Sequence, residues 1–372
     1  MKHLITKTAT ALLLFALALS SCKKEIAKEV IQPQNEEKAL CNQAHQTVQD
    51  QQDIANKALQ EFGSQNLSDR GVRSRNIVEI ASSLPFYKSL VAAVVKTGLA
   101  GTLSSKNINV TVFAPTDAAF SKLPAPFNNA ANITAISDQA QIDALKAILL
   151  YHVLGAEVKR HQVAPGRSNA VTLKPAGSSN DNTIYFSNSN GLLLVNGNSL
   201  VILADVDANN GVIHAINNVL IPPSQNIAQI AIGNPAFSSL VAALVKTNLA
   251  GVFSGTGNFT VFAPTDAAFS KLPAPFNNAA NITAISDAGQ ITALANILKY
   301  HVASSRFFAW DLGILRPLTT IADAPNNRLV GILGLTNGFV KGNQNSTFAK
   351  ITPANILATN GVVQVINQVL LP

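Results

Sequence analysis

The chain has 372 residues, of which 47% are hydrophobic and 13% charged, with a formal net charge of +7. That is enough apolar material for more than one domain core, and no Lys/Arg cluster is interleaved with aromatic residues, so nucleic-acid binding has little support. Cys22 and Cys41 are its two cysteines, which excludes a disulfide framework.

In chain order, Lys2, His3 and Lys7 give a basic start, followed by the apolar stretch Ala11 to Leu19. The stretch is shorter than the roughly 20 residues needed to span a bilayer, and reads as a removed signal. Leu19-Ser-Ser-Cys22 resembles a bacterial lipobox. The resemblance implies cleavage before Cys22 and acylation of that cysteine, hence a lipid anchor in the bacterial envelope, expected at the outer membrane. Residues 23–75 are polar. Ala44, Val48, Ala55, Leu59 and Phe62 fall near helical spacing, so part of this tether is expected to be an amphipathic helix. Cys41 and His45 are four apart, but they have no second pair to complete a zinc site.

From residue 76 the chain is duplicated. Thr111 to Asp138 recurs unchanged as Thr260 to Asp287, Tyr151-His152 as Tyr300-His301, and Asn210 to Pro222 with substitutions as Asn360 to Pro372. The period is too long for a solenoid repeat, so the expected domains are 76–223 and 224–372. In each, an apolar stripe at helical spacing comes first: Phe86, Leu90, Val91, Val94, Val95 and Leu99, then Phe237, Leu240, Val241, Leu244, Val245 and Leu249. Gly98 or Gly101, and Asn248 or Gly251, would end that helix. A short strand through Val112-Phe113, or Val261-Phe262, leads into Thr116-Asp117 or Thr265-Asp266. Both residues of each pair read as N-caps of the helix bearing Phe120 or Phe269.

Ile142, Leu145, Leu149 and His152, and likewise Ile291, Leu294, Leu298 and His301, place each histidine on an apolar helix face. A buried neutral imidazole with one donated and one accepted hydrogen bond suits that place. No nucleophile with an orienting group can be set beside either histidine. Beyond the Tyr-His pair the copies diverge. Copy one offers strands at Thr183 to Phe186, Leu192 to Val195 and Leu200 to Leu203, with Asn196-Gly197 as a hairpin turn. Copy two has Arg306-Phe-Phe-Ala-Trp310 and an Asn337-Gly338 turn. Trp310, the one tryptophan, is either core or a stacking platform or protein hot spot; Arg306 joins it as a binding candidate. In the closing strands His214 of copy one is replaced by Gln364 of copy two.

The blocks Phe113 to Phe120 and Phe262 to Phe269, the Tyr-His pairs and the closing segments together resemble the fasciclin (FAS1) domain of cell-surface and matrix proteins. The resemblance implies an α+β fold of two tandem domains, each a β-sheet wedge with flanking helices. Where the family's closing motif has Asp, this chain has Asn217 and Asn367. In animal members that bind integrins an Asp-Ile dipeptide precedes the Asn-Gly turn. Asp205-Val206 takes those positions here, so Asp205 is a binding candidate or a turn residue. The function this implies is non-enzymatic adhesion or binding by a lipid-anchored protein, without cofactor or metal, its partner a protein or polysaccharide at the cell surface. A glycan-binding or scaffold component of a nutrient-uptake complex is the alternative, and an enzyme the third reading.

Overall fold

The computed structural model describes residues 74–372, apart from 178–180, 190, 324–326 and 333–337, together with isolated positions between 42 and 53. The signal with Cys22, the apolar positions expected on the tether helix, Cys41, His45 and Asn337 of the expected turn lie outside the described residues. The chain divides between Pro222 and Pro223 into two compact units.

The first domain opens with helices α1 (Ile77–Ser83), α2 (Lys88–Lys96) and α3 (Ala100–Leu103), strand β1 (Val110–Pro115), and helices α4 (Asp117–Phe120), α5 (Ala130–Ala135) and α6 (Gln139–Tyr151). Strands β2 (Val153–Leu154), β3 (Gly166–Val171), β4 (Thr183–Ser189), β5 (Leu192–Val195), β6 (Ser199–Ala208) and β7 (Gly211–Ile216) follow. Their order is β2-β1-β7-β6-β5-β4-β3. β1 and β7 run parallel, with Val110 beside Gly211 and Pro115 beside Ile216, and the other neighbours are antiparallel. Two irregularities in β6, between Val201 and Leu203 and between Leu203 and Val206, bend this long strand so that it serves both faces of a wedge. Phe113, Tyr151, Ile184, Phe186, Val195 and Ile216 fill the space inside it. Asn196 and Gly197 both have positive φ, 51° and 69°, as the tight connection from β5 to β6 requires.

The second domain repeats the plan with α7 (Ile227–Gly233), α8 (Ser238–Lys246), α9 (Ala250–Ser254), β8 (Phe259–Pro264), α10 (Asp266–Phe269), α11 (Ala279–Ala284), α12 (Ala288–Tyr300) and β9 (Val302–Ala303). Its wedge comprises β10 (Ile314–Thr319), β11 (Arg328–Ile332), β12 (Phe339–Lys341), β13 (Ala349–Lys350), β14 (Ile356–Ala358) and β15 (Gly361–Ile366). They form two four-stranded sheets, β10-β11-β12-β13 and β14-β15-β8-β9. Neither domain closes into a barrel.

The apolar stripes are narrower than their spacing suggests. Leu90, Ala93 and Val94 of α2 are buried, whereas Val95 and its counterpart Val245 are 64% and 69% exposed. The ring that packs at the start of α2 is Tyr87, 1% exposed, and not Phe86; Tyr87 stands at the N-cap of α2 where Phe237 stands at that of α8. Both helices end on an αL residue, Gly98 (φ 70°) and Asn248 (φ 57°). In each, the next two N–H groups turn back: Gly98 to Val95 and Leu99 to Val94, Asn248 to Val245 and Leu249 to Leu244. That is the Schellman arrangement, which satisfies the last carbonyls.

Between α1, α2 and α3 lies an apolar cavity of about 70 Å³, lined in part by Ile77, Ala81, Leu90, Val94, Leu103 and Val112. At the positions of Val94 and Leu103 the second domain carries the larger Leu244 and Phe253, both in its core. Leu103→Phe is therefore expected to stabilise the first domain by about 1 kcal/mol. A thermal transition lowered by the substitution would show that the ring does not fit.

Candidate functional site

The residues shared by the two copies are committed to holding the fold. Thr116 and Thr265 cap α4 and α10, accepting the N–H groups of Ala119 and Ala268 at 3.3 Å. Asp117, expected to cap the same helix, instead reaches back to α2, where its carboxylate accepts from Ser89 N–H at 2.7 Å and Lys88 N–H at 3.3 Å. Tyr87 at the N-cap of α2 makes no side-chain cap bond, so the aspartate supplies from elsewhere in the chain what the helix lacks locally. Asp266 serves α8 in the same way through Ser239 N–H at 2.7 Å and Ser238 Oγ at 2.8 Å. Burial would raise the pKa of Asp266, but the hydrogen bonds from Ser239 and Ser238 outweigh it and hold the carboxyl below its ordinary value. Asp117→Ala should cost about 1–2 kcal/mol of first-domain stability, read by thermal denaturation. An unchanged transition would remove Asp117 from the capping role.

His152 and His301 close their helices onto the chain's exit from each wedge. Nδ1–H of His152 donates to Ile148 O at 2.8 Å, and Nε2 accepts from Leu220 N–H at 2.9 Å. His301 repeats this with Ile297 O at 2.7 Å and Leu370 N–H at 2.9 Å. Only the neutral ring can accept a backbone N–H, and burial lowers both pKa values to about 4 against the hydrogen bond to the helix carbonyl. Tyr151 Oη donates to Thr183 O at 2.7 Å and accepts from Asn196 Nδ2 at 3.1 Å. Tyr300 Oη donates to Arg328 O and accepts from Asn343 N–H. Every ring nitrogen and hydroxyl of these pairs is engaged with backbone or amide groups.

The divergent half carries the differences. In copy one, Asp205 sits at φ 60° in the β6 irregularity. Its N–H donates to His214 Nδ1 at 3.1 Å, and its Oδ1 accepts from Arg160 N–H at 2.8 Å. Nε2–H of His214 donates to Val158 O at 2.9 Å. In copy two, Asn355, also at φ 60°, donates its N–H to Gln364 Oε1 at 2.8 Å and accepts from Ala309 N–H at 2.7 Å. Gln364 Nε2 donates to Phe307 O at 3.1 Å. Gln364 thus makes the two backbone bonds that neutral His214 makes, which explains why the substitution between copies is tolerated. His214 is 1% exposed. Burial first, with Arg160 adding to it, lowers its pKa, against the bond to Val158 and the charge of Asp205.

Outside this shared frame the two surfaces are unlike. Copy one has Lys159 bonded to Asp207 at 3.0 Å and 3.8 Å from Glu157, beside Arg160 and Asp205. At the matching positions copy two has Phe308, Leu357, Arg306, Ala309 and Asn355. Trp310 is 2% and Arg306 4% exposed, so neither stands at the surface as a binding platform. Arg306 reaches inward, donating to Asn258 Oδ1 at 2.8 Å, to Ala358 O at 3.1 Å and to Gly361 O. Asp205 keeps a partly exposed carboxylate, already used by Arg160. Glu157, Lys159, Arg160, Asp205 and Asp207 form a charged group on copy one that copy two lacks. Of these residues the sequence pointed to Asp205 alone, although an acidic residue followed closely by two basic ones, Glu157, Lys159 and Arg160, is legible in the sequence. Among the described residues no group of three or more metal-ligating side chains occurs.

The fasciclin domain model matches this chain twice, over residues 85–222 and 235–372. The uncharacterized protein sll1735 of Synechocystis is 37% identical over 39% of this chain and 97% of its own length. Transforming growth factor-beta-induced protein ig-h3 of Sus scrofa is 28% identical over 70% of this chain, which spans about a third (34%) of that relative. Cell surface glycolipoprotein MPB83 of Mycobacterium bovis is 30% identical over 46% of this chain and 74% of its own length.

Proposed function

The chain belongs to the fasciclin family, and on that footing we propose that it is a non-enzymatic adhesion or binding protein of the cell envelope, held to the membrane by a lipid on Cys22. The observation that carries this reading is the division of labour within the duplication. Residues common to both copies cap helices and close the wedge, while the copies differ beyond the Tyr-His pair, among other places at the charged residues Glu157 to Arg160 and Asp205 to Asp207. A pair of modules with a shared scaffold and unlike surfaces suits binding to an extended partner, where two engagements raise avidity beyond either alone. The cell-surface character of MPB83 supports an envelope location, and the lipobox supports the anchor.

The partner is proposed to be a protein or polysaccharide with polar and charged groups, bound on the first domain by Lys159, Asp207 and the carboxylate of Asp205. Cells displaying the full chain should adhere to a matrix that presents the partner, and Cys22→Ala should abolish adhesion by releasing the protein from the membrane fraction. Lys159→Ala with Asp207→Ala should lower adhesion while leaving membrane retention and the thermal transition unchanged. Mature Cys22→Ala protein still firmly in the membrane fraction would overturn the anchor. Undiminished adhesion by the double variant would overturn the assignment of the surface.

A further inference from the structure

The apolar cavity beside α1 and α2 of the first domain runs from the core to the surface. Buried Leu103, Val112 and Leu149 line it, and so do the exposed Ser82 and Val95. Apart from Ser82, its lining has one polar side chain, His152. Both nitrogens of that ring are already engaged, Nδ1–H donating to Ile148 O and Nε2 accepting from Leu220 N–H. No side chain of the interior is left to bond a polar guest, which would lose its hydrogen bonds to water on entering. An apolar guest gains by the same transfer.

The second domain shows what such a space takes. Most of the lining is repeated there, with Leu240, Val261 and Leu298 in the places of Leu90, Val112 and Leu149. The interior differs at two positions. Leu244 has one carbon more than Val94 and Phe253 three more than Leu103, and both side chains are buried in the second domain's core. That domain therefore fills the space from its own chain with about four additional carbons. The cavity volume leads to the same size: about 70 Å³ is roughly half of the ~150 Å³ that admits benzene, which is room for about three or four carbons. At the mouth Ala228 and the exposed Ile232 stand in place of Val78 and Ser82.

We propose that the first domain binds a short aliphatic molecule in this cavity, with an alkyl end of about four carbons seated against Val94 and Leu103 and the polar end at the mouth beside Ser82. What the second domain supplies from its own side chains, the first takes from solution. A long acyl chain does not suit the site, because the methylenes left outside outnumber those within and a bilayer accepts them all. An aromatic ring needs about twice the volume. A sugar brings hydroxyls that no interior side chain can meet, so this ligand is not the polar partner assigned to the charged surface.

The test is saturation-transfer NMR on the full chain, with ethanol, n-propanol, n-butanol and n-hexanol as the observed probes. The protein is held in digitonin, whose apolar part is a steroid and not an alkyl chain. Affinity should rise about fourfold with each methylene from ethanol to n-butanol, the increment of a buried CH₂, and level off by n-hexanol as the chain outgrows the cavity. Leu103→Phe should weaken n-butanol binding about tenfold or more while raising the thermal transition, so the loss does not come from misfolding. Should the ring not fit, Val94→Leu decides, and its single added methylene should weaken binding about fourfold. Adding Leu244→Val and Phe253→Leu to the blocked chain should restore binding, now in the second domain. Equal n-butanol binding by the wild type and a folded Leu103→Phe or Val94→Leu variant would overturn the proposal. So would no binding of n-butanol by the wild type, affinity that climbs at one rate through n-hexanol, or a folded, opened second domain that takes up none.

Discussion

Lowering the pH from 7 towards 4 is expected to unfold the first domain before the second, and His214→Gln is expected to abolish the difference. The folded pKa values of His152 and His301 are depressed from the ordinary 6.5 to about 4 by burial. A histidine with a depressed folded pKa contributes in one direction only. Above pH 6.5 it is neutral in both states and costs nothing. Below 6.5 the unfolded chain binds the proton first, and stability falls until the folded value near 4 is reached. Each such residue removes about 3 kcal/mol across that window, a large share of a domain's net stability.

His152 and His301 burden the two domains alike. His214, also depressed by burial, adds to the loss in the first domain alone, because Gln364 makes the corresponding bonds without titrating. Protonation at Nδ1 would place a ring proton against Asp205 N–H, its present donor, with Asp205 Oδ1 4.0 Å away and Arg160 opposing the new charge. Trp310, buried in the second domain, lets the two transitions be separated. Its fluorescence reports the second domain, while far-ultraviolet circular dichroism reports both. Dichroism should begin to fall at a higher pH than the fluorescence changes, and in His214→Gln the two curves should coincide. Coincident curves in the wild type would sink this account.

Gly211→Ala is expected to prevent the first domain from folding. Gly211 has φ +145°, which side chains rarely adopt, and a Cβ there would lie 2.0 Å from Val110 O on the parallel neighbour β1. Neither strand can retreat. Asn210, the residue before, accepts from Ile77 N–H at 3.0 Å with its side chain and donates to Leu103 O at 2.8 Å and Ser105 O at 3.0 Å, pinning β7 to α1 and α3. The combined strain and clash should exceed about 4 kcal/mol, beyond the range of ordinary substitutions. In the second domain, a Cβ on Gly361 would lie 2.3 Å from Phe259 O. Gly211→Ala should therefore lose cooperative melting of one domain with native Trp310 fluorescence retained, and Gly361→Ala should lose that fluorescence. Gly211→Ala with a wild-type thermal transition would contradict the role assigned to this close approach.

The duplication, the family and most elements were legible in the order of residues. A repeat is visible without structure, and helical spacing is a local property of a few turns. That spacing placed His152 and His301 on apolar helix faces because Ile142, Leu145 and Leu149, and their counterparts, lie within the same helix. The Asn196-Gly197 turn was legible because its positive φ angles restrict the residues that can occupy it. Whatever depends on which segments meet was settled by tertiary packing. Asp117 caps a helix that precedes it in the chain, and local spacing could only assign it to the helix that follows. Val95 and Val245 continue an apolar pattern, yet among the described residues no element covers them. Arg306 and Trp310 have the composition of a binding surface but are enclosed by the second domain's own wedge. The equivalence of His214 with Gln364 emerged only when the bulged backbone of β6 and the Asn355 segment could be compared. What each side chain donates and accepts is set by the carbonyl and N–H groups that folding brings to it, and these come from parts of the chain far removed in sequence.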